Sequence, residues 1–527
     1  MVSAPPFLEE NYWLNLSIQD TDLEALSTYL LEVETPLTPQ ELLSRLVDER
    51  LMRERESAEK QQAYEAYVPE LQYQVDQLLT FPALANISGK VISSRKAEIL
   101  IGQKFDVIQV ELDNGEQKEF ASGLASHELN KPPEIVEEAP VSQSELIMQD
   151  HGNDLLVKLE AALQGNNDFV YIAGSWFPKA LIVDVTEGQL NVAEALLDMA
   201  GGGPLSTIEL LGDVDLPEGI NPKLAAFSLD LALQEDERFD EVGPTGIVGW
   251  FLHRLEPEEV RETPIFLRHH ENDYDRTLLT EEMIELERRL DDELSPHDPL
   301  DNSAIEQVEV RLIFPHWRAG TLPLTEKMAR LFPTAYESPR VKFDFVDGDT
   351  GERFPGWVVR FERYIYGLRD WYSKSGLMPG AYLRARVGEQ AGEIIVETEA
   401  HRASKEWVRT ALVGSEGGVV YAMLKQTVET SFDERMMVFM PGEESAVDKA
   451  WQRSDDKQRD LARLVRKSVE ELAKLNPQNH VHANEVYATV NVLKRCPPGP
   501  ILAILTNGPE FEHVGDLHYR IAGTEAE

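Results

Sequence analysis

The octapeptide Pro36-Leu-Thr-Pro-Gln-Glu-Leu-Leu43 returns later in the chain as Pro204-Leu-Ser-Thr-Ile-Glu-Leu-Leu211. Both copies spell a helix start. Thr38 and Ser206 are N-cap residues, and Glu41 and Glu209, three positions on, complete a capping box. Leu37 with Leu42, and Leu205 with Leu210, have the spacing of a hydrophobic staple. Pro39 falls at the first helical position, where its missing N–H costs nothing. An apolar helix ending in a leucine pair, Leu30-Leu31 or Leu196-Leu197, precedes each copy. Internal repetition of this kind constrains the architecture before any other feature does.

A second signature extends the repeat. Leu163, Leu233 and Leu505 are each followed six residues later by Phe169, Phe239 and Phe511. Ile172 and Gly174, Val242-Gly243 and Val514-Gly515 come next, and aromatic strands at Trp176-Phe177, Trp250-Phe251 and Tyr519 close the hairpins. Helix, capped helix, helix and two-stranded wing is the order of a winged helix-turn-helix. The expected copies are residues 1–55 plus 150–188, split by an insertion; 189–257, continuous; and 455–522, with a degenerate middle helix. The competing reading is chance similarity among leucine-rich helices.

Copy two resembles the HARE-type winged helix, found in the delta subunit of bacterial RNA polymerase and in chromatin- and restriction-linked proteins. The residues that carry the resemblance are Ala195-Leu196-Leu197, Pro204-Leu205-Ser206, Glu209-Leu210-Leu211, Arg238-Phe239, Val242-Gly243 and Trp250. It implies a module in transcription or DNA-linked machinery.

Between the halves of copy one, residues 50–79 read as a charged then apolar helix, and 87–124, within an inserted domain placed at 71–130, switch to period two, with Phe105-Asp-Val-Ile-Gln-Val-Glu-Leu112 leading into Asp113-Asn-Gly115. Asn-Gly between alternating runs is a hairpin signal, and several short strands here predict a small SH3- or Tudor-like barrel. Residues 131–149, with Pro132-Pro133, Glu137-Glu138 and Pro140, read as a linker, and 258–310 as an acidic, solvated helical connector. Residues 311–411 resemble the DNA-binding pseudobarrel of plant auxin-response factors and of some restriction-endonuclease effector domains. The resemblance rests on the strand Val341–Val346, the turn Asp347–Gly351, the return strand carrying Trp357, the short helix carrying Trp371, Leu377-Met-Pro-Gly380 and the strand Ala381–Val387. That family usually has Gly-Asp where this chain has Gly380-Ala381. Residues 412–454 extend the domain before copy three. The expected fold class is therefore α+β multidomain: three winged helices, one small inserted barrel and one larger pseudobarrel.

The 527 residues suggest about three to four domains. One cysteine, Cys496, excludes a disulfide framework and a cysteine-rich zinc site. No apolar run of about 18 residues and no basic-then-apolar start is present, so no membrane partner and a cytoplasmic, bacterial setting are expected. The net charge is −44. Residues 311–475 hold 26 basic and 25 acidic side chains, whereas the rest holds 24 and 69. Since phosphate binding depends on lysine and arginine, the acidic arm is unsuited to DNA and the balanced block is the place for it.

Within that block Arg384 and Arg386 alternate on one strand face, with Arg360, Arg363, Arg369 and Lys374 near them and Tyr364, Tyr366 and Trp371 interleaved. This predicts a basic–aromatic surface, against the alternative of salt-bridged strands over an aromatic core. Arg459, Arg463, Arg466 and Lys467 form a basic stripe on the helix before copy three. The third helices of copies one and two offer no set of outward Arg, Lys, Asn or Gln for groove reading, so those copies are expected to be structural or protein-binding.

No Walker loop, G-x-G-x-x-G, H-E-x-x-H or G-x-S-x-G is present. Gly201-Gly202-Gly203 reads as a helix stop and flexible turn; His269-His270 with Glu271, Asp273 and Asp275, the trio Asp344, Asp347 and Glu362, and His480 with His482 lack convincing ligand or catalytic spacing. No catalysis, cofactor or metal is expected. The expected function is DNA-binding and regulatory or architectural, with double-stranded DNA as partner. The alternative is an acidic RNA polymerase-associated accessory factor acting through protein contacts.

Overall fold

The computed structural model describes residues 10–61, 65–81, 84, 87–98, 104–112, 115–124, 130, 143–217, 219–296, 305–335, 337–388, 390, 392–413, 419–440, 442, 444–453 and 460–523. Among these the chain is mixed α+β, with 16 α-helices and several sheets. It divides into two compact units, one of Met1–Val183 with Gly219–Phe227 and one of Asp184–Glu218 with Ser228–Glu527.

In the first unit, α1 (Glu10–Leu14), α2 (Asp20–Val33) and α3 (Pro39–Gln61) precede a five-stranded sheet. Leu23, Leu26 and Leu30 of α2, and Leu42, Leu43, Leu46 and Val47 of α3, recur at helical spacing and are buried. The capping box at α3 forms as its residues require, with Thr38 N donating to Glu41 Oε2 at 2.8 Å and Glu41 N to Thr38 Oγ1 at 3.3 Å. The sheet runs in chain order through β1 (Glu65–Ala66), β2 (Leu78–Phe81), β3 (Ile87–Glu98), β4 (Lys104–Leu112) and β5 (Gln117–Ser122), antiparallel except for β1 on β2. Its apolar face buries Leu79, Phe81, Val91, Ile108, Val110 and Leu112. Of the Asp113-Asn-Gly115 turn, Gly115 has φ 82° and Asp113 and Asn114 lie outside the described residues. Then come α4 (Gln143–Gln164) and the hairpin of β6 (Phe169–Ile172) and β7 (Ser175–Pro178). Helix α4 thus begins inside the span expected as linker, and the rest of that span, 131–142, lies outside the described residues.

The second unit opens with α5 (Glu187–Met199), β8 (Leu205–Ser206), α6 (Thr207–Leu211), the part of α7 (Pro222–Gln234) from Ser228 on, and a hairpin of β9 (Phe239–Glu241) and β10 (Gly249–Leu252). The tri-glycine between α5 and β8 is fixed by close approach. All three have positive φ, and a Cβ on Gly203 would lie 2.5 Å from the Trp250 carbonyl. Trp250 is fully buried, and its Nε1 donates to Asp230 Oδ1 at 2.9 Å and to Thr207 Oγ1 at 3.2 Å.

Burial raises the Asp230 carboxyl from 3.8 to about 6, against the opposing hydrogen bonds from Thr207 and Trp250. The neutral form is therefore favoured in the fold. Its stabilising contribution is full below pH 3.8 and is lost as pH rises through about 6. A rise of this size corresponds to about 3 kcal/mol. Asp230→Asn should remove that dependence, so that unfolding free energies measured by urea titration move in the variant's favour by about this amount between mild acid and neutral pH. A gap between parent and variant that stays constant with pH would contradict it.

After α8 (Glu258–Arg261) and α9 (Glu281–Leu290) comes a larger β region. It contains β11 (Gln307–Arg311), α10 (Phe314–Ala319), β12 (Thr321–Pro323), α11 (Glu326–Ala329), β13 (Arg340–Asp347), β14 (Arg353–Val359), β15 (Tyr364–Tyr366), α12 (Arg369–Lys374), β16 (Tyr382–Val387) and β17 (Glu393–Thr398). The strands make one seven-stranded sheet in the order β11-β16-β17-β13-β14-β15-β12, antiparallel except for β13 beside β17. The expected solvated connector is corrected here. Met283 and Leu286 of α9 are buried in the core shared with the C-terminal helices, because its apolar residues fall on one helical face.

A long hairpin of β18 (Ala400–Val413) and β19 (Val419–Thr430) and α13 (Glu444–Arg453) lead to the last group. That group is α14 (Leu461–Ala473), β20 (Val481–His482), α15 (Ala483–Val490), α16 (Pro498–Asn507), β21 (Phe511–Gly515) and β22 (His518–Ile521). The middle helix α15, expected to be degenerate, is whole and capped. His482 Nδ1 accepts from Asn484 N at 3.1 Å, and Glu485 Oε2 accepts from His482 N at 2.9 Å. An imidazole does the work of the usual hydroxyl or carboxylate, and burial lowers its pKa to about 3, leaving the nitrogen free to accept.

One register recurs three times. Leu37 pairs antiparallel with Trp176, Leu205 with Trp250, and Val481 with Tyr519, each joining the residue before a capping position to a buried hairpin aromatic.

Candidate nucleic-acid interface

Strands β14 and β15 pair through Trp357↔Tyr366 and Val359↔Tyr364, and burial of Trp357, Val358, Val359, Tyr364 and Ile365 fixes both. The connecting turn is Arg360-Phe-Glu-Arg363. Arg360 N donates to Pro339 O at 2.9 Å, its Nη1 donates to Ser338 O at 2.7 Å, and Leu324 N donates to Arg363 O at 2.9 Å. Arg363 takes φ 57°, which closes the turn in the left-handed region. The pinned turn leaves Phe361 76% exposed beside a cleft of about 420 Å³. Arg360, Phe361 and Arg363 line the cleft together with Leu324, Thr325, Glu326 and Phe332. Two guanidinium side chains and an exposed ring at one apolar cleft can hold a phosphate backbone and stack on a base or sugar.

The remaining expected cations lie elsewhere and are mostly matched to carboxylates. Arg384 meets Glu309 at 3.3 Å, Arg386 meets Glu397 at 2.7 Å, Lys374 meets Glu352 at 3.0 Å, and Arg369 meets Glu259 at 3.5 Å. Such pairs must give up a carboxylate before taking a phosphate, which reduces the ions released on binding. On α14, Arg463, Arg466 and Lys467 are exposed opposite the buried Leu461, Val465 and Val469, and Arg466 pairs with Glu470 at 2.9 Å. Arg459 lies outside the described residues. The expected aromatic part of this surface is corrected: Tyr364 and Trp371 are buried in the core, because their strand and helix positions face inward. Phe361, which sequence reasoning passed over, is the exposed ring.

The hairpin β9–β10 is covered on one side. Val242 and Phe251 pack with Trp357, Val359 and Tyr364, and Lys342 N donates to Val242 O at 2.9 Å. Helices α7 and α16, the third helices of copies two and three, are largely buried.

Comparison with family models, with curated proteins and with solved structures returned no match.

His480 and His482 both lie against His518, with ring centroids 4.6 and 5.0 Å apart, but among the described residues none of the candidate metal or catalytic residues joins a group of three converging ligand atoms. Asp347 accepts from Asp349 N at 2.8 Å and Thr350 N at 3.2 Å, so it forms the β13–β14 turn. His482 caps α15. A group not seen in the sequence does converge, with ligand atoms of Asp240, His253 and Glu256 within 4.8 Å of one another. Arg340 already fills its cation position, with Nη1 2.5 Å from Asp240 Oδ2 and 3.6 Å from Glu256 Oε2. Burial, with Asp240 beside it, raises the Glu256 carboxyl, and the contacts of Arg340 with Asp240 and Glu256 pin β9 to β13. Its members come from three separated segments, and no local spacing announces them. Among the described residues, no helix is long and apolar enough to cross a membrane.

Proposed function

We propose that this chain is a non-enzymatic DNA-binding protein, regulatory or architectural, of the transcription machinery. In this reading three winged-helix repeats act as scaffold, and a pseudobarrel-like β domain in the C-terminal half touches duplex DNA. The observation that carries it is the turn Arg360-Phe-Glu-Arg363, which holds two arginines and an exposed ring at one cleft. The thrice-repeated strand register supports common ancestry of the helical groups, and the local charge balance of residues 311–475 supports contact there and not in the acidic arm. Burial of α7 and α16 argues against reading a groove with a third helix, so binding is expected to follow backbone and shape more than base sequence.

A second reading is an acidic RNA polymerase-associated accessory factor. Neutralisation of Arg369, Lys374, Arg384 and Arg386 by carboxylates favours it. A pull-down of the tagged full chain from native lysate, with and without nuclease, separates the two. Partners lost on nuclease treatment support direct DNA binding, and RNA polymerase retained after treatment supports the accessory reading.

A further inference from the structure

The long hairpin β18–β19 lies outside the cleft described above and presents a second aromatic surface. Its register sets Trp407 opposite Lys425, Lys405 opposite Thr427, Arg409 opposite Met423 and Ala411 opposite Tyr421. Because side chains alternate along a strand, these eight share one face. At its inner end Ala411 and Tyr421 are buried in the core, and Arg409 is held by Glu485 and by the carbonyls of Arg435 and Met437. Away from the turn, toward the Ala400↔Thr430 end of the hairpin, the same face opens to solvent. Trp407 is 64% exposed and Met423 41%, and Lys405 and Lys425 are exposed on either side of the ring. Among the described residues, neither lysine makes an ion pair.

Beside Trp407 lies a cavity of about 380 Å³, walled by Met423, Met437, Leu472, Leu475 and Pro477. Its polar lining is mixed in charge: Arg435, Asn476 and His480, the Arg409–Glu485 pair, and the carboxylates of Glu406 and Glu434. A two-stranded ribbon cannot shield a tryptophan on its open face, and the ring's area remains unspent.

We infer that this face binds single-stranded nucleic acid, one base stacking on Trp407 over the cavity and the backbone running between Lys405 and Lys425. An aromatic platform bracketed by cations is the arrangement that takes single strands without sequence preference, since every base offers a π face. The two lysines, without an ion pair among the described residues, select a polyanion, and the flat exposed indole selects one whose rings are unstacked. Such a site goes beyond the duplex reading. It sits on different strands, uses different residues and takes DNA or RNA whose strands are apart, as at an opened duplex.

The test is fluorescence anisotropy with the full chain and two labelled probes, oligothymidylate and a blunt duplex. Trp407→Ala should weaken oligothymidylate binding by about tenfold or more. Trp407→Phe should recover most of that loss, which a merely structural role on an exposed ribbon would not produce. Lys405→Ala with Lys425→Ala should flatten the salt dependence by about two phosphate contacts. Duplex binding should be unchanged in all three variants. Far-ultraviolet circular dichroism checks that each is folded. Single-strand affinity unaffected by both the Trp407→Ala and the double lysine change overturns the inference. So does failure of the parent to bind oligothymidylate, or displacement of the probe by polyglutamate at equal concentration, which would make the face a site for acidic peptide. A protein that binds oligothymidylate through Trp407 but never binds duplex would leave this inference standing while the duplex reading fell.

Discussion

Arg495→Met should lower stability by about 3–5 kcal/mol, the range for removing one partner of a buried ion pair. The Arg495 side chain has no exposure and donates to Asp292 at 2.9 and 2.7 Å and to Glu293 at 2.7 Å. His316 Nε2 meets Glu293 at 3.2 Å, and the Tyr487 hydroxyl donates to Asp292 at 2.5 Å. The network ties the segment after α9 to α10 and to α15. Burial acts to raise the Glu293 carboxyl, but Arg495 and His316 outweigh it and hold the group well below its usual range. A depressed carboxylate stabilises the fold above its unfolded value of about 4.5 and loses that contribution as pH falls toward the folded value. The gap between parent and Arg495→Met should therefore narrow in acid. Arg495→Lys keeps the charge but loses the two-pronged fork, and should fall between the two. Urea denaturation of the full chain at neutral and acid pH measures all three. A Met variant within about 1 kcal/mol of the parent at neutral pH would show that the network is not a stabilising tie.

Trp250→Ala should cost about 3–5 kcal/mol, toward the upper end because it also strips the buried Asp230 of a donor. The ring is fully buried among Leu197, Leu210, Leu229, Leu233 and Leu252, and its backbone carries the pairing to Leu205. Trp250→Phe keeps most of the packing and loses the Nε1 donor, so its cost should be smaller. Since the chain divides into two compact units, the relevant quantity is the midpoint of the transition that reports on this group, followed by near-ultraviolet dichroism. An unchanged midpoint in the alanine variant would remove Trp250 from the core of the repeat.

Much of the architecture was legible because it is local. Capping boxes at Thr38 and Ser206, and strand alternation around Phe105 and Val341, are written in residues a few positions apart, and each forms where expected. The third capping box was missed because His482 is not a usual cap, yet its ring nitrogen does the same chemistry. Asp292-Glu293 read as solvated acid because their partner lies some two hundred positions away at Arg495. The interface was half legible. Charge balance pointed to the block that holds the Arg360–Arg363 turn, but pairing with Glu309, Glu352 and Glu397 depends on strand register, which the sequence does not display. Exposure inverted the aromatics: Trp371 and Tyr364 are core, while Phe361 and Trp407 face solvent.

The most direct test of duplex contact at the β14–β15 turn is an anisotropy titration of the full chain with labelled duplex DNA at several salt concentrations. The parent should bind at low salt and weaken steadily as salt rises, and Arg360→Ala with Arg363→Ala should bind more weakly, with a log–log salt slope shallower by about 1.8. Absence of duplex binding by the parent at low salt, or a double variant that keeps the parent's slope, would contradict it.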